Sequence, residues 1–136
     1  MATLLAHITI KEGQEARFEN IARQMYESTH AHERDVRRYE YWRGAEPRTY
    51  YCLESFPDLH AFLDHQTSPH HERFGPDWPE VIDSMRLEWV DPMENASPLV
   101  PTDNQPLPAD ASALKREKYP RFAKLTADWW AALRGR

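Results

Sequence analysis

Between Leu4 and Val90 the spacing of apolar residues switches repeatedly between a period of two and a period near 3.6. That order of switches leaves few folds open. Leu4 to Ile10 reads as a strand, with Leu4, Ala6, Ile8 and Ile10 on one face and Leu5, His7 and Thr9 on the other. Lys11-Glu12-Gly13 ends it. From Gln14 to about His32, Phe18, Ile21, Ala22, Met25 and Thr29 recur at helical spacing, so this segment is predicted to be an amphipathic helix. Val36 to Arg43 and Thr49 to Phe56 read as strands joined by the turn Gly44-Ala45-Glu46-Pro47, which predicts a hairpin. Asp58 is placed to cap a second helix whose inner stripe is Leu59, Phe62, Leu63 and Gln66. Ser68-Pro69 restarts it, because proline at the first helical position sacrifices no hydrogen bond. Phe74 closes that turn, Val81 and Ile82 are expected to add a short helical piece, and Met85 to Val90 is the last strand.

The resulting order, β-α-β-β-α-β, predicts an α+β fold: a four-stranded antiparallel sheet with its helices on one face, the ferredoxin-like arrangement. Two helices cover one side of such a sheet only. The bare side carries large side chains and is expected to pair with a second copy, since a two-fold interface buries the same patch twice.

The boundaries follow from composition. Five of the 11 prolines, from Pro92 to Pro108, fall within 17 residues, so 93–110 is read as an extended connector rather than a packed element. Residues 1–92 form the body and 111–136 a helical C-terminal extension. Residues 1–108 hold 10 basic and 19 acidic side chains, and residues 109–136 hold 7 and 3. A basic tail on an acidic body is expected to dock on it, in its own or the other subunit, or to cover a pocket mouth; the alternative, favoured by Lys115, Arg116, Lys118 and Lys124, is a surface for another protein or an anionic membrane. Within the tail, Ala111–Lys118 and Arg121–Leu133 read as helices broken at Tyr119-Pro120, with Phe122, Leu125, Trp129, Ala132 and Leu133 as the apolar stripe flanked by Trp130.

Several classes are excluded or disfavoured. The net charge of −5 argues against nucleic acid, and no apolar run is long enough to span a membrane. The single Cys52 forbids an intrachain disulfide or a cysteine metal cage. The opening residues lack the basic start of a signal peptide, so a cytoplasmic location is expected.

The segment Tyr50-Tyr51-Cys52-Leu53-Glu54-Ser55-Phe56, then Leu59, Phe62, His65, Ser68-Pro69-His70 and Phe74, resembles the antibiotic biosynthesis monooxygenase superfamily, the dimeric α/β-barrel proteins that include quinol monooxygenases. The opening strand, Lys11-Glu12-Gly13 and the amphipathic helix fit the same pattern. The resemblance implies a homodimer that oxidises a hydroquinone, phenol or polyketide-like aromatic with O2 and needs no cofactor. Its haem-degrading branch has an Asn, a Trp and an iron-binding His that fall near Ala6, His65 and Gly75 here, so haem chemistry is not expected.

Such a reaction needs a base, an apolar pocket and exclusion of water. His65 is the candidate base, since imidazole can take a phenolic proton at neutral pH; the other reading is a structural His bonded across to the sheet. Glu54 is the second catalytic candidate, to orient a His or accept a proton, against an ion pair with Arg48 or Arg38. Tyr39, Tyr51, Phe62, His70 and Trp78 are the candidate substrate contacts, with a capping or packing role open for His70. His30-x-His32 and His65 with His70-His71 lack a convincing ligand spacing, so no metal is expected. Two readings outside this class remain: a non-catalytic small-molecule-binding dimer, and an isomerase or decarboxylase of an enolisable compound. The run Glu33-Arg34-Asp35 is read as a solvated loop.

Overall fold

The computed structural model describes residues 1–123. Four strands, β1 (Ala2–Ile10), β2 (Arg38–Arg43), β3 (Thr49–Phe56) and β4 (Ile82–Trp89), form one antiparallel sheet in the order β2-β3-β1-β4. Helix α1 (Glu15–His32) follows β1, and α2 (Leu59–Gln66), α3 (Pro69–Phe74) and the single turn α4 (Trp78–Val81) follow β3. This is the predicted ferredoxin-like α+β architecture, and the sheet does not close on itself. Among the described residues, no helix is long and apolar enough to cross a membrane.

The period-two pattern of β1 sets the faces. Ala2, Leu4, Ala6, Ile8 and Ile10 are buried beneath the helices. Leu4 pairs with Glu54 and Trp89, Ala6 with Cys52 and Leu87, and Ile8 with Tyr50 and Met85. Residues paired across an antiparallel ladder share a face, so these partners also point at the helices. On α1 the buried residues are Phe18, Ile21, Ala22, Met25 and Thr29, the predicted stripe. Gly13 has φ 77° in the turn before α1, a left-handed conformation that favours glycine. Asp58 accepts from the Ala61 N–H at 2.9 Å and Ser68 from the His71 N–H at 3.2 Å, so both predicted caps form.

Boundaries shift at two strands. β2 starts at Arg38 rather than Val36. β4 starts at Ile82, so only Val81 of the expected helical piece is helical. Ile82 is drawn into the sheet by pairing with Ile10 across an irregularity after Thr9.

The connector has no helix or strand from residue 90 to 112, and it is anchored at one buried residue. Thr102 is fully buried at the sheet end. Its hydroxyl accepts from the Thr3 N–H at 2.9 Å and donates to the Val90 carbonyl at 3.1 Å, and its own N–H donates to Asp91. A side chain thus bridges two backbone groups where the β1–β4 ladder runs out.

Helix α5 (Ala113–Phe122) lies on α2 of its own chain. Lys115 pairs with Asp64, and Lys118 with Glu72 and the Gln66 carbonyl, so basic tail meets acidic body. The expected break at Tyr119-Pro120 does not occur, since the helix runs through Pro120. Pro120 lacks the N–H that would bond back to the carbonyl of Arg116, so one helical hydrogen bond is forgone there. The flanking side chains are held: Tyr119 donates to the Gln105 carbonyl, and Phe122 is buried against Phe62 and Trp89. Leu125, Trp129, Trp130, Ala132 and Leu133 lie outside the described residues.

Candidate active site

Five elements converge on one buried polar cluster. Glu33 caps the C-terminus of α1, His65 comes from the last turn of α2, His70 and His71 from α3, and Glu54 from β3 beside Tyr39 of β2. Glu33 Oε1 is 2.8 Å from His65 Nδ1 and 2.7 Å from His70 Nε2. A carboxylate only accepts, so both ring nitrogens donate to it. His65 is then left, when neutral, with a bare lone pair on Nε2. That atom faces Glu54 Oε2 at 4.0 Å, too far for a hydrogen bond, and both atoms are buried with no partner.

Burial pushes the Glu54 carboxyl above the ordinary carboxylate range; His65 offsets part of the shift and the Glu33 charge adds to it. Burial likewise raises the Tyr39 and Tyr41 phenols and the Cys52 thiol well above their usual values. It lowers His70, against the pull of Glu33. His71 is taken from 6.5 to about 3, first by burial and then by the nearby positive groups His65 and Lys118. A His held neutral in the fold stabilises it above pH 6.5, and that stability is lost as pH falls from 6.5 towards 3. His71→Gln should therefore flatten the loss of thermal stability across that window, measured as Tm against pH. An unchanged slope would contradict the burial of a neutral ring.

Between the sheet and α1 lies a cavity of about 110 Å3, lined by Glu54, Tyr39, Tyr41, Cys52, Trp78 and His71, among others. The hydroxyls of Tyr39 and Tyr41 bond each other at 2.9 Å. A larger concavity, about 760 Å3, runs between α1 and the edge strand β2. It is an open groove, and Arg43 in its wall is already paired with Glu19 at 2.7 and 2.8 Å. The smaller cavity is the better site because it alone of the two borders the unpartnered carboxylate.

The candidate residues are distributed unevenly. Glu54, Tyr39 and Trp78 border the cavity, and His65 stands behind Glu54. Arg48 and Arg38, the alternative partners of Glu54, bond elsewhere, to the Ile10 carbonyl and to Glu40. Phe62 is fully buried against Phe56, Trp89 and Phe122, away from the cavity wall. His70 is turned to Glu33. Tyr51 is on the opposite face, edge-on to His7, because Tyr50 and not Tyr51 shares the face of Ile8. The sequence reading missed Glu33, which is tucked between two histidines instead of solvated, and also Tyr41 and His71. Tyr41 had a signal, since it shares a strand face with Tyr39; Glu33 had none.

Glu33, His65 and His70 also place three ligand-type atoms within 4.8 Å of one another, a grouping assembled from three separate elements. Both ring nitrogens donate to Glu33.

The family model for antibiotic biosynthesis monooxygenase matches residues 1–76, and the chain belongs to that family. Among solved structures, the fold is similar to PA3566 from Pseudomonas aeruginosa, with 22% identity, a TM-score of 0.61, and 65% of this chain and 90% of that one covered. It is also similar to SO0527 from Shewanella oneidensis (24% identity, TM-score 0.61, covering 65% and 87%) and to Rv0793 from Mycobacterium tuberculosis (18%, 0.64, covering 71% and 98%). No curated protein matches the chain.

Proposed function

We propose that the chain is a cofactor-independent monooxygenase that oxidises a hydroquinone or phenol with O2. The observation that carries this reading is the unpartnered Glu54 carboxylate in the wall of an aromatic, largely apolar cavity. A substrate hydroxyl would supply the missing hydrogen bond to Oε2. Glu54 then takes its proton, and His65 Nε2 stands behind it to receive that proton. A raised carboxyl pKa narrows the gap to a phenol near 10 and makes the transfer easier. The phenolate gives one electron to O2, and the radical pair joins as a peroxide at a ring carbon. Loss of water leaves a new carbonyl, so one oxygen atom ends in the quinone and the other in water.

The cavity size favours a single ring over a fused polyketide. Its volume, about 110 Å3, is on the scale of the ~150 Å3 apolar cavity known to take up benzene. Oxygen uptake is the test, using hydroquinones, phenols and the three-ring anthrone with no flavin or metal added. One O2 should be consumed per one-ring substrate, with label from 18O2 in both product and water. Turnover of an enolisable compound under nitrogen would instead indicate an isomerase or decarboxylase built on the same carboxylate.

The partner supported best is a second copy. On the open face the paired Leu5 and Leu53 adjoin the row Trp42, Tyr51 and His7. Trp42 is 57% exposed. Ion pairs Arg38–Glu40 and Arg86–Glu88 flank these apolar groups at the two sheet edges, as a polar rim flanks an interface core. Leu53→Lys should convert a dimer to a monomer in analytical ultracentrifugation. A monomeric wild type would remove this assignment.

A further inference from the structure

The wall of the cavity is not made by the family domain alone. Helix α5 lies beyond the matched residues 1–76, yet it brings Arg121 to the same cavity as Glu54 and His71. Arg121 is exposed, as is Met85 on β4, whereas Gln66 and His71 beside Arg121 are half-buried, so the cavity reaches the surface at Arg121 as well as at Met85. Lys118, the neighbouring cation, is occupied by Glu72 and the Gln66 carbonyl. Arg121 has no acidic partner among the described residues and only stacks on the Phe122 ring at 5.4 Å. His71 Nδ1 is buried without a hydrogen bond, 3.9 Å from Glu72 Oε1.

The electrostatics single this group out. The phenols and thiol on the lining are held neutral by burial, and so is His71. Among the described residues, Arg121 is therefore the one permanent positive charge on the cavity wall. A guanidinium with no acidic partner among the described residues, beside the Gln66 amide, is a donor set that suits a carboxylate. The interior has room for about one ring, and a substituent on that ring would extend to the mouth at Arg121.

We infer that the C-terminal helix completes the binding site, and that Arg121 selects a one-ring phenol or hydroquinone bearing a carboxylate, which it binds at the cavity mouth. This rests on the reading of the cavity as the substrate site, but not on the oxygen chemistry. It assigns a specificity role to a segment outside the family domain.

The test is anaerobic binding to the full chain by calorimetry, comparing 2,5-dihydroxybenzoate with 1,4-hydroquinone. The carboxylate compound should bind about tenfold tighter, and the ratio should shrink as salt is raised. Arg121→Gln should bring the ratio of the two Kd values close to one, while Arg121→Lys keeps part of it. Arg121 is exposed, so both variants should keep the wild-type Tm, which verifies that they fold. Equal affinities in the wild type, or a preference that survives Arg121→Gln, overturn the inference. So does failure of both compounds to bind, which also removes the cavity as the substrate site. Oxygen uptake without carboxylate preference sinks the role of Arg121 and leaves the monooxygenase reading standing. Carboxylate preference without uptake does the reverse.

Discussion

Replacing Glu54 by Gln should abolish oxygen uptake and at the same time make the protein more stable. The activity loss follows from removing the proton acceptor at the cavity wall, an effect of about 1,000-fold for a general base. The stability gain follows from burial. Glu54 is 8% exposed, its Oε2 has no partner, and its carboxyl lies above the ordinary range. A group whose folded pKa is raised contributes stability at low pH, and loses it as pH rises through the folded value. At pH 7 to 8, well above the unfolded value, the wild type therefore carries a cost of burying this carboxyl that the isosteric amide does not. The gain should be ~1–2 kcal/mol, or roughly 4–8 °C in Tm. It should fade towards pH 4, where the carboxyl is protonated in both folded and unfolded chains. Thermal melts of both proteins from pH 4 to 8 check this without any substrate. A destabilised Glu54→Gln at pH 8 would mean that the carboxylate is a structural ion-pair partner of His65, and it would remove Glu54 from the active site.

The second large effect is expected at the other end of the chain. Phe122→Ala should cost ~3–5 kcal/mol, lowering Tm by roughly 10–15 °C. Phe122 is 3% exposed, with its ring 4.8 Å from Phe62 and 6.5 Å from Trp89. It closes the core beneath α2 and anchors the helix that carries Arg121. The ion pairs of α5 are worth much less, since exposed pairs contribute ~0–1 kcal/mol each. Lys115→Ala should thus shift Tm by no more than a few degrees. If Phe122→Ala leaves Tm unchanged, α5 does not dock on its own body, and Arg121 is not held at the cavity.

The order of elements, the apolar stripe of α1 and the caps at Asp58 and Ser68 were legible because each depends on residues a few positions apart. Side-chain period and capping are local physics. The family could be recognised for the same reason: its pattern runs along β3, α2 and α3 in one continuous segment. The strand faces were less accessible. Tyr50 and Tyr51 are both aromatic, so composition does not say which one points to the helices. The pairing of Ile8 with Tyr50 decides it.

The sequence by itself determined that this chain forms a ferredoxin-like sheet with helices on one side, and that His65 and Glu54 are candidates for the chemistry. Only the tertiary structure decided how they are used. Glu33 meets His65 from 32 residues away, and His70 from 37. Thr102 reaches Thr3 across 99 residues, and α5 returns to the cavity mouth from beyond the connector. Contacts at such separations leave no periodic trace in the chain, because they depend on how whole elements pack rather than on the spacing of residues within one of them.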